Sequence, residues 1–238
     1  MITFLYAFVL GTFFGSFASV LGYRLPMKQP IGWTRSKCRN CNQTLGFITL
    51  LPIISYILQK GKCKYCHSKI CISYPFIEIF CGLLFLFICL KSGFNITGFI
   101  WTATFFSLFV ASYLDIRTFE VPLKFQAILI FLAFWYGYEN GFDKNELLIN
   151  PLLIYFSGLI LKFSYYFIRK RDGLGMADIN LAFIVTIFIG IENFPYFLLL
   201  SGLLGTIFGL IWQKLYKQDI FPFFPSLSIA FLISYGIL

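Results

Sequence analysis

Acidic residues are scarce in this 238-residue sequence: ten Asp and Glu stand against 19 Lys and Arg. Charge of either sign makes up only 12 % of the chain, about half the share of a soluble domain. Polar surface is therefore too small to cover a soluble fold, while 59 % of the residues are hydrophobic. Several stretches of about 18 or more residues are almost free of charge, the length a helix needs to cross a bilayer. Internal repeats and low-complexity segments are lacking too. Met1 to Val20 has no basic leading region and no small-residue cleavage site, so it reads as a first membrane helix rather than a removable signal. The composition predicts an all-α polytopic membrane protein.

Apolar runs place spans at about Ile2–Gly22, Pro75–Leu90, Thr97–Leu114, Phe125–Tyr138, Pro151–Ile168, Ile179–Ile189, Pro195–Leu215 and Phe223–Ile237. That makes about eight transmembrane helices, the fourth and sixth short; seven, or six with a re-entrant piece, are the alternatives. Residues 1–23 form the first span, 24–73 a loop, and 74–238 a membrane bundle. The loop holds Arg24, Lys28, Arg35, Lys37, Arg39, Lys60, Lys62, Lys64 and Lys69 and no acid, which matches the whole net charge of +9. Positive loops stay in the cytoplasm, so the N-terminus is expected outside. Alternation from there also puts Arg117 and Lys124, then Arg169, Lys170 and Arg171, then Lys214 and Lys217 inside.

A basic loop can bind nucleic acid, but interleaved aromatics and a recognition helix are missing here. Anionic membrane lipid is the expected partner. Few polar residues fall at mid-membrane depth, which argues against a transporter.

Two CxxC pairs lie in the loop, Cys38/Cys41 and Cys63/Cys66. Each spacing aims two thiolates at one point, and two such knuckles complete the tetrahedral four-sulfur site of structural zinc. The surrounding cations favour thiolate. Two disulfides are the competing reading, against which the reducing cytoplasm argues; a redox dithiol would need one pair only. His67 is an alternative ligand. Four cysteines leave no open coordination position, so the zinc is expected to be architectural. Cys71, Cys81 and Cys89 have no partner pattern, and the last two read as helix packing. The apolar stretch Leu45–Leu58 is expected to fold on the zinc ribbon or to lie against the membrane.

Carboxylates in or beside membrane spans are costly and suggest function. Glu78, Asp115, Asp178 and Glu192 qualify, and Glu192 falls in an outer loop. Asp115 ends the third span and Asp178 opens the sixth, both at the cytoplasmic end. Two carboxylates at one depth on different helices suggest an aspartyl protease pair sharing one proton. Alternatively Asp115 pairs with Arg117 or a lysine, and Asp178 caps a helix. Spacing alone does not separate these readings.

The motifs go further. Gly15-Ser-Phe17 with Tyr23-Arg-Leu-Pro26, the two CxxC pairs with Leu51-Pro52 and Lys60-Gly-Lys-Cys63, Tyr74-Pro75 with Glu78, Asp115 with Val121-Pro122, Gly175-Met-Ala-Asp178 and Pro222-Phe-Phe-Pro225 follow one another nearly end to end. In this order they resemble the blocks of the prepilin peptidase family, and size and phenylalanine use are similar to its competence-type members in Gram-positive bacteria. The resemblance implies a membrane aspartyl protease of the bacterial plasma membrane, with Asp115 and Asp178 as the catalytic pair. Glu78, Gly175 and Arg24, from the matched blocks, are then expected to support the site. It also implies type IV prepilins or pilin-like competence and secretion proteins as substrates. These are cut on the cytoplasmic side after a glycine that separates a short basic leader from an apolar helix. In the family the new N-terminus is commonly methylated from S-adenosylmethionine, and no motif here marks a pocket for that donor. The sequence does not indicate an oligomeric state.

Several positions depart from the family pattern. Ser19 replaces Asn, Arg39 a Pro, Phe224 a Gly, Asn180 a Lys, and Ala177 the glycine before Asp178. If that glycine serves a positive φ or a close backbone approach, alanine strains the site. The corresponding alternative function is a catalytically impaired membrane scaffold that docks pilus or secretion components through its zinc loop.

Overall fold

The computed structural model describes residues 2–32, 35–170, 173–218 and 220–237; Arg171 lies outside these. The described residues form helices and two isolated antiparallel bridges, and no strand. In order they are α1 (Ile2–Arg24), a 3-10 turn (Phe47–Leu50), α2 (Ile54–Leu58), α3 (Ser73–Ser92), α4 (Ile96–Thr118), α5 (Leu123–Glu139), a π turn (Asn145–Ile149), α6 (Asn150–Arg169), α7 (Met176–Tyr216) and α8 (Phe224–Ile237). The chain divides into two compact units, Met1–Thr102 and Ala103–Leu238, with α4 running through the boundary.

In the first unit α1 packs on α3 along a seam of small residues. Ala7, Gly11, Gly15, Ala18 and Gly22 are all buried on one face of α1. A Cβ on Gly11 would stand 2.5 Å from the carbonyl oxygen of Cys81, and one on Gly15 2.7 Å from Cα of Glu78. The Gly11-x-x-x-Gly15 spacing thus lets two backbones touch, which is how helices associate where lipid removes the hydrophobic drive. Cys81 and Cys89 are buried in this contact, as expected of packing residues.

The second unit is built around α7, which packs against α5, α6 and α8. Phe105 of α4, Phe188 of α7 and Phe231 and Tyr235 of α8 form an aromatic core with ring centroids 5.3–5.5 Å apart along the chain of contacts. α6 is the opposite case: Pro151 is its buried residue, while Leu153, Phe156, Ile160, Leu161, Phe163 and Phe167 are exposed. So much exposed apolar surface suits lipid rather than water.

Among the described residues, five segments are long and apolar enough to cross a bilayer: α1, α3, α4, Asn145–Arg169 and α7. The difference from about eight has two physical sources. α5 has 17 residues and α8 has 14, which at about 1.5 Å per residue fall short of a core about 30 Å thick. The sixth and seventh expected spans lie end to end in α7, whose 41 residues break between them at Gly190, where φ is +76°. Positive φ is open to glycine and ends the helical hydrogen-bond ladder there.

Candidate functional site

Two constellations carry chemistry, one in each unit. In the first, the four sulfur atoms of Cys38, Cys41, Cys63 and Cys66 lie within 4.8 Å of one another. The two knuckles are near-copies. In one, the Cys38 amide donates to the Gln43 carbonyl and the Asn42 amide to the Cys38 carbonyl; in the other, the Cys63 amide donates to Ser68 and the His67 amide to Cys63. Bridges Lys37–Thr44 and Lys62–Lys69 close the two loops. Asn42 and His67 occupy matching left-handed positions, φ +55° and +56°. His67 is therefore the turn residue of the second knuckle, the counterpart of an asparagine, and lies outside the sulfur cluster.

The donor set fits a tetrahedral metal. A zinc–sulfur bond of about 2.3 Å puts neighbouring sulfurs about 3.8 Å apart, and Cys38 and Cys66 stand 3.9 Å apart. All four cysteines are free. The hydroxyl and amide of Ser68, with the Asn40 side chain, hold the Cys66 thiol down to about 5. The amides of Cys41 and Asn40 lower Cys38 as well. Cys41 goes the other way, to about 11: the Gln43 amide works against the rise, but desolvation and the neighbouring Cys38 and Cys66 outweigh it. Crowded like charges leave one sulfur holding a proton, a conflict a divalent cation resolves. These four residues could hold a metal ion.

Glu78, expected as site support, is buried near the start of α3. Its carboxylate accepts a 2.7 Å hydrogen bond from the Ile53 amide and another from the Ser16 hydroxyl. Ile53 has φ +61° and ψ −52°, a costly conformation for a β-branched residue. The buried acid thus ties down a strained corner of the loop. Arg24 donates from its guanidinium to the Pro30 carbonyl at 3.2 Å. The Arg39 guanidinium stacks 3.7 Å above the Tyr23 ring and 5.3 Å from that of Tyr74. Where the family pattern has proline, this chain has a cation–π clasp between the loop and the helix ends.

These groups line a cavity of about 900 Å³ bounded by the ends of α1 and α3 and the loop. Among the described residues its basic lining is Arg24, Arg35, Lys37, Arg39 and Lys69, against Glu78 as the one acid. S-adenosylmethionine carries a net positive charge at neutral pH, so it fits this cavity poorly and no step is assigned to it.

The second unit holds both aspartates. Asp115 is buried in the last turn of α4 and accepts a hydrogen bond from the Phe224 amide, the first residue of α8. Ser112, one turn earlier, donates to Ser228 at 2.9 Å and fastens the same two helices. Asp178 is the third residue of α7, whose N-cap is Gly175. Its carboxylate accepts the Gly175 amide, so it completes a capping arrangement without being the cap residue. Both carboxylates thus meet a helix N-terminus, that of α8 for Asp115 and that of α7 for Asp178, where amide dipoles favour negative charge. They are close enough for the charge of Asp115 to act on Asp178.

Two neighbours escape sequence reasoning, Lys162 and Gln126. Lys162 of α6 donates to the Leu174 carbonyl at 2.9 Å, and its charge acts on Asp178. Buried Gln126 of α5 accepts from Asn180 at 2.6 Å and donates to the Val121 carbonyl at 2.8 Å. Asn180, where the family pattern has lysine, thereby ties α7 to the turn that follows α4. Ala177 has no positive φ and lies in the first turn of α7, so its methyl brings no backbone strain.

Comparison with known proteins follows the same division. Residues 9–92 match the bacterial peptidase A24 N-terminal domain, and residues 102–210 match the type IV leader peptidase family. This chain belongs to that family of peptidases. Relatives include the prepilin leader peptidase/N-methyltransferase of Neisseria gonorrhoeae, 28 % identical over 94 % of this chain and 87 % of that protein. Those of Bacillus subtilis and Vibrio cholerae, with the same name, are 28 % and 26 % identical. They are covered to 92 % and 93 % of their length, with 96 % and 94 % of this chain aligned. No solved structure matches at a significant level. Membership and the apolar helices together make this a multi-pass membrane protein.

Proposed function

We propose that this chain is an aspartyl endopeptidase that removes the short basic leader from type IV prepilins or pilin-like competence and secretion proteins. The observation that carries the reading is the pair itself: two carboxylates from different helices, each accepting an amide at a helix N-terminus, with Asp178 in the field of Asp115. Two such groups in a partly dry site share one proton. The ionised partner takes a proton from water as the water oxygen attacks the scissile carbonyl, and the neutral partner donates to the carbonyl oxygen. Collapse of the tetrahedral species then breaks the carbon–nitrogen bond, and a proton from the pair leaves with the amine. The scaffold alternative has no support at Ala177.

The membrane arrangement belongs to the same proposal. Counting α7 as two passes across Gly190, and α5 and α8 as short ones, gives eight spans. The acid-free loop then faces the cytoplasm, the N-terminus lies outside, and both aspartates fall at the cytoplasmic ends of their helices. Residues 1–23, 24–73 and 74–238 serve as first span, metal loop and membrane bundle. Cys38, Cys41, Cys63 and Cys66 hold a structural zinc that fixes the loop. The relatives' names add N-methyltransferase, so methylation of the new N-terminus belongs to the proposal by analogy, with no donor site or residue of this chain assigned to it.

Reconstitution with a prepilin tests the reading. Wild-type protein is expected to release the leader, and neither Asp115→Ala nor Asp178→Ala to do so. An intact leader with wild type, or cleavage by either variant within tenfold of the wild-type rate, overturns the mechanism.

A further inference from the structure

The cavity of the first unit is lined by five basic residues and one acid, and that acid already accepts hydrogen bonds from Ile53 and Ser16. Arg24 and Arg39 are engaged by Pro30 and by the Tyr23 and Tyr74 rings, and the charge of Arg35, Lys37 and Lys69 favours an anionic ligand. Depth narrows the class further. The walls include Ser16, Ser19, Tyr23 and Arg24 from the last turns of α1, and Tyr74, Pro75 and Glu78 from the first turns of α3. The ends of two membrane helices mark the level where lipid headgroups meet water.

A second, independent feature lies in the same wall. Thr49, Leu50, Ser55 and Tyr56 line the cavity, while Phe47, Ile48, Ile57 and Leu58, interleaved with them, are exposed; Phe47 is 77 % and Leu58 68 % exposed. The 3-10 turn and α2 thus show polar atoms to the cavity and an apolar ridge outward. Folding of Leu45–Leu58 onto the metal loop, one of the two sequence expectations, does not occur for these side chains. A polar, cationic recess beside an apolar ridge at headgroup depth matches the two halves of a phospholipid.

We propose that this cavity is a binding site for the headgroup phosphate of an anionic phospholipid, with Arg35, Lys37 and Lys69 supplying positive charge and the Phe47–Leu58 ridge lying among the acyl chains. The site is separate from the aspartate chemistry, and its test reads binding rather than cleavage.

The experiment uses the purified full chain in detergent, with lipid retention followed by native mass spectrometry. Phosphatidylglycerol, phosphatidylcholine of the same acyl chains, and free glycerol phosphate are the three probes. Phosphatidylglycerol is expected to bind at least about tenfold more tightly than the zwitterionic lipid, and free glycerol phosphate far more weakly than either. Each basic residue near the surface contributes about fivefold, so Arg35→Gln with Lys37→Gln and Lys69→Gln should weaken phosphatidylglycerol roughly a hundredfold. Metal content of the variant reports whether the loop still folds. If the triple change fails that control, Lys37→Gln alone carries the test with a loss of about fivefold. Equal retention of the two lipids, or a preference unmoved in a metal-loaded variant, overturns the proposal. Glycerol phosphate binding as tightly as phosphatidylglycerol overturns it as well, because the site would then serve a soluble phosphate.

Discussion

The cysteine cluster and the aspartate pair are assembled in opposite ways. Each knuckle is local: six residues, two backbone hydrogen bonds repeated in both copies, and one left-handed residue, Asn42 or His67. The aspartates come from α4 and α7, more than sixty positions apart, and Asp115 owes its amide partner to α8. A local site needs its own few residues and a metal. A non-local site needs every helix that frames it. Substitutions in the two should therefore differ in what they disturb.

The largest effect sharpens that contrast from the aspartate side. Asp115→Ala and Asp178→Ala should each cut the rate of leader removal by about three orders of magnitude, with metal content unchanged. Leader cleavage on gels and elemental analysis of the same samples check both halves. Residual cleavage within tenfold of wild type would refute the pair.

Second comes the cluster. Purified protein should hold about one zinc per chain, and Cys63→Ser, which removes the buried ligand, should lose it. Proteolysis should then enter residues 35–72, with the helices of the second unit still protected. A metal-free protein whose loop resists protease as well as wild type would refute the structural role.

Gly175→Ala comes third. The new Cβ would stand 2.9 Å from Asp178 Oδ2, so the carboxylate must move. A displaced reacting group loses rate rather than affinity, and kcat should fall about tenfold with KM little changed. Ala177→Gly, two residues on, should leave kcat within about twofold, because alanine there is unstrained. A large gain from Ala177→Gly would revive the impaired-scaffold reading.

The smallest effect tests the corner that Glu78 holds. Glu78→Ala leaves the Ile53 amide without its carboxylate, at a cost of about 1–3 kcal/mol. Thermal unfolding should shift accordingly, with protease reaching residues 45–58 sooner and zinc retained. No change in either measure would mean that Ile53 keeps its φ without help.

These differences also explain what could be read in advance. Span placement succeeded wherever charge-free runs exceeded a bilayer's thickness, because burial in lipid acts on every residue of the run. The gap expected between the sixth and seventh spans coincides with Gly190, whose positive φ interrupts the helical run from Met176 to Tyr216. The cysteine quartet was legible because ligand spacing is a local constraint. Its loop was not: the role of Glu78 requires Ile53, twenty-five positions away, to adopt a positive φ. The seam Ala7, Gly11, Gly15, Ala18, Gly22 was visible as small residues at helical spacing and went unread.

By itself the sequence determined the all-helical membrane character, the two knuckles and the candidacy of Asp115 and Asp178, because composition, ligand spacing and ordered motifs are properties of the chain. Tertiary structure alone decided that Asp115 meets the α8 N-terminus, that Gln126 and Asn180 join α5 to α7, and that five basic residues enclose one cavity. Each of these depends on atoms brought together from distant positions. Burial makes such a contact strong, yet no local pattern of residue types encodes it.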